Sequence, residues 1–574
     1  MVDLLLHPAL PLLVAAALAW WAPAHIRSVL LVAGPLVSLA QLSRLASGTA
    51  VHATFYGMDI QPLRADGLAL AFGWIFAIAA IIAGIYGWSI LRRREPSAAL
   101  AYAGAALGVV FSGDLLTLFV FWEIKAVASA FVIFARNGGN ANRAGMRYLF
   151  THLVGGKLLL GGAIWHATTT GSLTFDAFAM SGATSLILVT FLVAAAVPPL
   201  HPWLPDAYPE ASVVGTVFLS AYTTKAAVYA LARGFAGTEI LVWLGVAMAL
   251  YGVVYAVLEN DVRRLLSYHI ISQVGYMVAA IGIGTDMAIN GATAHAFAHI
   301  LYKGLLLMGV GAVIHATGKS KMTELGGIFR RMRGVFALYM VGAVSISSVP
   351  LFSGFVSKEL AVYAAGLDER TLVVILLKIA SVGTFLHTGL KLPFGTWFGH
   401  DGAGPRTNEG TPRIHVGAVP ATMIIAMAIS AALSFAIGMM PELLYNVLPY
   451  PVDYHPYELT KVLEKSQILL FTALGFWLLL DKLHADATIS LDTDVVYRRW
   501  ATPLRLLIVG GERPRDVRRP FAVIGGRLAA ARTVVESRLP AARGSEPPVY
   551  PLWTLGATFL AVALVLLVLT LRLS

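Results

Sequence analysis

One carboxylate, several lysines and three imidazoles stand inside stretches of the chain that are otherwise apolar. Glu123 lies in LFVFWEIKAVASAFVIF, with Lys125 two positions on. Lys157 stands in HLVGGKLLLGGAIW, Lys225 in FLSAYTTKAAVYAL and Lys358 in VPLFSGFVSKELAVYAA. In GATAHAFAHILYKGLLLMGVG the residues His295, His299 and Lys303 recur every fourth position, which places them on one face of a helix. Lys378, His387 and Lys391 continue the polar inventory downstream. The chemistry open to such a set is proton transfer. Each group can gain and lose a proton when burial favours its neutral form and a nearby opposite charge favours its ionised form. Ionisable groups at membrane depth are costly, so they face a bundle interior and work there. The competing reading is snorkelling, in which a lysine near a helix end reaches the interface; it weighs most on Lys378 and Lys391.

Other chemistries are excluded by what is missing. The 574 residues contain no cysteine, so disulfides, thiolate metal sites, iron-sulfur clusters and cysteine nucleophiles are all ruled out. VGGKL lacks the spacing of a phosphate loop, and no GxGxxG follows a strand. We expect no catalytic residue in the enzymatic sense, no metal and no cofactor. Redox chemistry, if coupled, belongs to a partner.

The elements that position these residues are membrane helices. Hydrophobic residues make up 58% of the chain and charged residues 13%, a composition outside the soluble range. Apolar blocks run from Leu4 to Trp21, then centre near residues 35, 80, 105, 125, 157, 193, 223, 248, 274, 302, 345, 382, 427 and 474, and a last one runs from Leu552 to Leu571. At about 20 residues per span this predicts an all-α polytopic membrane protein of about sixteen transmembrane helices. The first block has no positive segment before it and reads as a span, not as a cleaved signal.

Charge gives the orientation. In alternate loops, one set holds Arg27, Arg92, Arg93, Arg94, Arg136, Arg143, Arg147, Arg263, Arg264, Lys319, Lys321, Arg330, Arg331, Arg333, Arg406 and Arg413. The other holds Arg44, Arg64, Arg233, Arg370, Lys461 and Lys465. The positive-inside rule puts the first set in the cytoplasm and both termini outside. The net charge of +11 therefore needs no nucleic acid to explain it, and no nucleic-acid-binding signature is present.

Two further features bear on function. Pro198, Pro199, Pro202 and Pro205 interrupt one span, and Pro350 with Gly354 another, which predicts two helices broken at membrane depth, as along a transport path. Between the last two spans, eleven arginines from Arg498 to Arg543 face three acids, Glu512, Asp516 and Glu536. Phe521, Ile524, Leu528, Ala531 and Val535 recur there at helical spacing, away from Arg527, Arg532 and Arg538. This reads as an amphipathic helix along the cytoplasmic membrane surface, or as a solvated basic linker.

Taken together, LLTLFVFWE, PPLHPWLPDAYPEAS, TTKAAVYAL, LLSYHIISQVGYM, the His299-to-Lys303 segment, LGGIFRRMR and LFSGFVSKE resemble, in order, the motifs of the proton-pumping antiporter-like family. That family includes the membrane subunits of respiratory NADH dehydrogenase and of the multisubunit Mrp-type Na+/H+ antiporters. The resemblance covers roughly residues 60 to 400 and is strongest to the D subunits of the Mrp type. It implies two inverted five-helix repeats, each with a broken helix, joined by a central polar axis. By the same resemblance Glu123 is the functional glutamate, Lys225 the bridging lysine, His295, His299 and Lys303 the central relay, and Lys358 the terminal lysine of the second repeat. The implied organisation is N-terminal helices at 1–95, an antiporter-like core at 96–400, additional helices at 401–484, the basic lateral segment at 485–548 and a last helix at 549–574.

The chain departs from the family twice. The lysine that pairs with the glutamate in the family falls at Ala194, five residues before Pro199, so the partner of Glu123 is missing. Lys157 or Lys125 has taken over, or this half no longer transfers protons. The chain also carries a basic tail and a further span beyond the usual end of the Mrp-type D protein, as in the family's long terminal subunit. The expectation is a proton-translocating subunit of a multisubunit monovalent cation/proton antiporter. It would sit in a bacterial inner membrane, move protons and Na+, and pair with other membrane subunits. A redox-driven pump, a module energising inorganic-carbon uptake, and a scaffold that has lost transport are the alternatives.

Overall fold

The computed structural model describes residues 6–55, 57–91, 94–399, 414–480 and 492. The lateral basic segment, the last apolar block and Arg92, Arg93, Arg406 and Arg413 lie outside the described residues.

Among the described residues, helices occupy the predicted blocks. The described chain runs through α1 (Ala9–Trp21), α2 (Ala24–Leu42), the hairpin β1 (Ala50–Phe55) and β2 (Met58–Arg64), then α3 (Gly67–Gly87), α4 (Glu95–Phe111), α5 (Leu115–Phe134), α6 (Gly139–Thr170), α7 (Gly182–Ala194), α8 (Trp203–Ala207), α9 (Val213–Gly234) and α10 (Glu239–Leu258). It continues through α11 (Val262–Ile283), α12 (Asp286–Thr317), α13 (Arg333–Ile346), α14 (Ser353–Leu367), α15 (Thr371–Thr384), α16 (Ala421–Met439), α17 (Glu442–Tyr445) and α18 (Leu459–Leu478). A membrane interior offers no water to backbone groups, so an apolar chain there satisfies them within each helix. Side-chain caps fix where several helices begin: Asp66 for α3, Asp114 for α5, Ser212 for α9, Asp261 for α11 and Thr285 for α12 accept from first-turn amides.

The prolines break two helices as predicted. α7 has 13 residues and α13 has 14. At about 1.5 Å per residue each falls short of the roughly 30 Å hydrocarbon core, so both stop inside it. The backbone turns at matching points: Ala196 and Ser348, each two residues past its helix end, both have φ of 59°. The left-handed region costs a non-glycine residue about 1–2 kcal/mol, so both bends are held by their surroundings.

The interior belongs to α11 and α12, which are buried on nearly every face. Close packing of α10 on α11 depends on glycine: a Cβ on Gly245 would lie 2.3 Å from Ala279 N, and one on Gly275 2.5 Å from Gly245 O. α18 is peripheral, with Leu470, Phe471 and Trp477 more than two-thirds exposed.

Several arginines of the two sets form ion pairs, in loops or near helix ends. Arg64 pairs with Asp176, Arg233 with Asp66 and Arg370 with Glu239 in one set. Arg136 pairs with Glu210, Arg147 with Asp206 and Arg264 with Glu259 in the other.

Two expectations need correction. Residues between α2 and α3 read as plain loop, yet β1 and β2 pair antiparallel there, Ala50 opposite Arg64, and the backbone N–H of Gln61 donates to Asp114 at 2.9 Å. Lys461 and Lys465 read as loop residues, but both lie in α18, and Lys465 is buried. A helix starting at Leu459 with Lys461, Glu464 and Lys465 in its first two turns hides its apolar pattern until Ile468.

Candidate functional site

The first cluster forms where α5 meets α6. Glu123 lies near the middle of α5 and is 5% exposed. Its Oε2 is 3.3 Å from Lys157 Nζ on α6, and the lysine side chain is 40% exposed. Gly156, beside Lys157, makes room for the carboxylate: a Cβ there would lie 1.6 Å from Glu123 Oε1. Ala194, where the resemblance leads us to expect a lysine, is the buried last residue of α7. Trp203 takes over the end of this broken helix by donating its indole N–H to Val193 O at 2.9 Å. Lys125 is also buried, its Nζ 3.4 Å from the centroid of the Trp122 ring.

The second cluster is central. Lys225 on α9 is fully buried and donates to Ser220 O at 2.9 Å and to Thr224 Oγ1 at 3.2 Å. His295, His299 and Lys303 line α12 as their spacing predicts, all fully buried, with the imidazoles 6.0 Å apart. Lys303 Nζ reaches His269 Nδ1 on α11 at 3.3 Å, and Thr388 Oγ1 lies 2.9 Å from the same nitrogen. His387 faces His269 edge-on at 4.6 Å. Residues Phe385–Lys391 wind as a π-helix continuing α15, and within it His387 is fully buried. Lys225 lies within electrostatic reach of both His299 and Lys303. Sequence reasoning misses His269; it sits inside the SYHIISQ motif, but alone on its helix it has no i+4 partner to mark it.

The third cluster surrounds the second break. Lys358, in the second turn of α14, is fully buried and donates to Ile346 O at 3.1 Å, capping the carbonyl end of α13 where a cation is favoured. Its neighbour Glu359 accepts from Lys465 on α18 at 2.6 Å, and Lys465 also donates to Ser381 Oγ at 2.9 Å. Lys391 donates to Val257 O, and Lys378 pairs with Glu464 in a half-exposed position. The structure therefore brings His387 into the central cluster and leaves Lys378 at the edge.

One more buried contact is unmarked in the sequence. His201, in the first break, is fully buried and lies 3.0 Å from Asp492 Oδ2, and the hydroxyls of Tyr251 and Tyr268 donate to the same carboxylate at 2.5 and 2.6 Å.

Residues 112–386 match the model of the family described as NADH:quinone oxidoreductase/Mrp antiporter, transmembrane. The D component of a Na+/H+ antiporter from Alkalihalophilus pseudofirmus is 30% identical over 352 residues, which are 57% of this chain and 70% of that protein. The chain belongs to the NADH:quinone oxidoreductase/Mrp antiporter family. A Rhizobium meliloti protein described as the probable A/B component of a K+/H+ antiporter is 31% identical over 416 residues, 66% of this chain. The match spans 41% of the length of that larger relative. A chain of the membrane-bound sulfane sulfur reductase, an archaeal respiratory membrane complex, shares the fold with TM-score 0.70 at 22% identity, covering 98% of this chain and 99% of that one.

Proposed function

We propose that this chain is the proton-translocating subunit of a multisubunit monovalent cation/proton antiporter in a bacterial inner membrane. The observation that carries the reading is the buried sequence of groups from Lys225 past His299 to Lys303, His269 and His387, drawn from four helical segments and enclosed in apolar packing. Two ammonium groups at Lys225 and Lys303 repel, so protonating one favours release from the other. His299 is in electrostatic reach of both, and His269 takes the proton on toward His387. Lys358 and the Glu359–Lys465 pair form the far end of the line. Glu123 with Lys157 is the charge pair of the first repeat. Na+ is the favoured counter-cation, by likeness to the Na+/H+ antiporter component of Alkalihalophilus pseudofirmus.

The test is proton movement in everted membrane vesicles holding the assembled complex, followed with a pH-sensitive dye while Na+ or K+ is added. Cation-dependent proton movement that Lys303→Ala removes supports the reading. A wild-type complex that moves no protons rejects it.

A second reading, a pump driven by a redox partner, draws on the end-to-end fold match to a respiratory complex chain. With no cysteine in this chain, the electron carriers would sit in other subunits. Co-purification of cofactor-bearing subunits decides for it.

A further inference from the structure

The first repeat contains a second buried cation beside the Glu123–Lys157 pair, in electrostatic reach of Glu123. Lys125 is 1% exposed, and its Nζ has no hydrogen-bond partner among the described residues. Its cation–π contact with the Trp122 ring offsets only part of the cost of burying an ammonium. On α6, which packs against α5, His152 is 2% exposed and its Nε2 is likewise without a hydrogen-bond partner among the described residues. The His152 ring sits 4.3 Å from that of Tyr148 and 4.6 Å from that of Trp203.

Hydroxyls continue inward from this point. Tyr148 donates to Ser129 Oγ at 2.9 Å, one turn past Lys125, and its oxygen lies 3.0 Å from Thr223 Oγ1. Thr223 adjoins Thr224, whose Oγ1 accepts from Lys225. Bonded hydroxyls thus begin one turn from Lys125 and end two residues from Lys225, with the remaining steps left to water, whereas Lys157 opens outward.

We infer that Lys125 and His152 are the proton-exchanging pair of the first repeat and feed Lys225 along the Tyr148 and Thr223 hydroxyls, while Glu123 and Lys157 set the local charge without carrying the proton. In this step the Lys125 ammonium gives one proton to neutral His152, leaving a free amine and an imidazolium. The imidazolium passes a proton into the hydroxyl line, where each oxygen accepts one and releases one. The free amine of Lys225 ends as ammonium. One proton moves, no electron does, and water spans steps longer than a hydrogen bond. The inference rests on the proton-translocation reading.

Lys125→Arg tests it, since arginine keeps the charge but cannot release a proton. In everted vesicles with the complex assembled, Lys125→Arg and His152→Leu should each fall to about a tenth of wild-type proton movement or below. Lys157→Arg keeps the charge beside Glu123 and should retain more proton movement than Lys125→Arg. If Lys125→Arg does not assemble, His152→Leu decides alone. Wild-type rates in His152→Leu or in assembled Lys125→Arg, with Lys303→Ala inactive, overturn the pair and leave the proton-translocation reading standing. Loss in Lys157→Arg equal to that in Lys125→Arg overturns the division of roles. A silent wild-type complex overturns both readings.

Discussion

Lys157 Nζ stands 3.3 Å from Glu123 Oε2, so the carboxylate of α5 draws its cation from α6 and not from the broken helix α7. Gly156 permits this by leaving the carboxylate room against the α6 backbone. Glu123→Gln removes the charge and keeps the shape. It should express normally and lose proton-coupled transport in vesicles; wild-type transport by that variant would count against any functional role for the carboxylate.

Removing Lys157 strands a buried carboxylate, which costs about 3–5 kcal/mol or forces protonation. Lys157→Ala should therefore be inactive. Thr190 on α7 already donates to Gly155 O at 2.8 Å, and Ala194 lies one turn further along that face. The double change Lys157→Ala with Ala194→Lys should restore activity. Full activity of Lys157→Ala, with no gain from Ala194→Lys, would remove the charge-pair role from Lys157.

Lys303 touches His269 and shares a helix face with His295 and His299. Lys303→Ala should lose most transport, and His269→Leu or His299→Leu should change the shape of its pH profile. Unchanged rates and profiles in all three would reduce the central cluster to packing.

Glu359 and Lys465 join α14 to α18 at 2.6 Å in a position where the lysine is almost wholly buried. Glu359→Gln and Lys465→Met should each impair transport, by leaving the other charge buried and unpaired, more than the two together do. Additive losses would show that the two side chains act independently.

Asp66 offers a pH-dependent stability. Burial works against its charge, but Arg233 at 2.7 Å outweighs it and holds the carboxyl below the usual range. A depressed folded pKa adds stability above the unfolded value of about 4, and that stability is lost as the pH falls through the lower folded value. Thermal unfolding of the detergent-solubilised wild type should show a steeper drop below about pH 4 than that of Asp66→Asn. Identical acid profiles would assign the pair no share in stability.

The sequence by itself determined the class, the helix positions, the two breaks and most of the buried ionisable groups. Apolar blocks of span length, prolines within them and an i, i+4 repeat of His295, His299 and Lys303 are local signals, and backbone satisfaction in a membrane permits few alternatives. Ala194, where the resemblance places a lysine, is noticed for the same reason, as a position in a local motif. What tertiary structure decided was partnership. Lys157 is 34 residues from Glu123 and Lys465 is 106 from Glu359, and no periodicity links residues on different helices. His269, His152 and His201 have no charged residue or second histidine one turn away on their own segments and acquire a role only from what packs against them. The polar line through the protein is a property of helix contacts, because a proton crosses between neighbours in space whatever their separation along the chain.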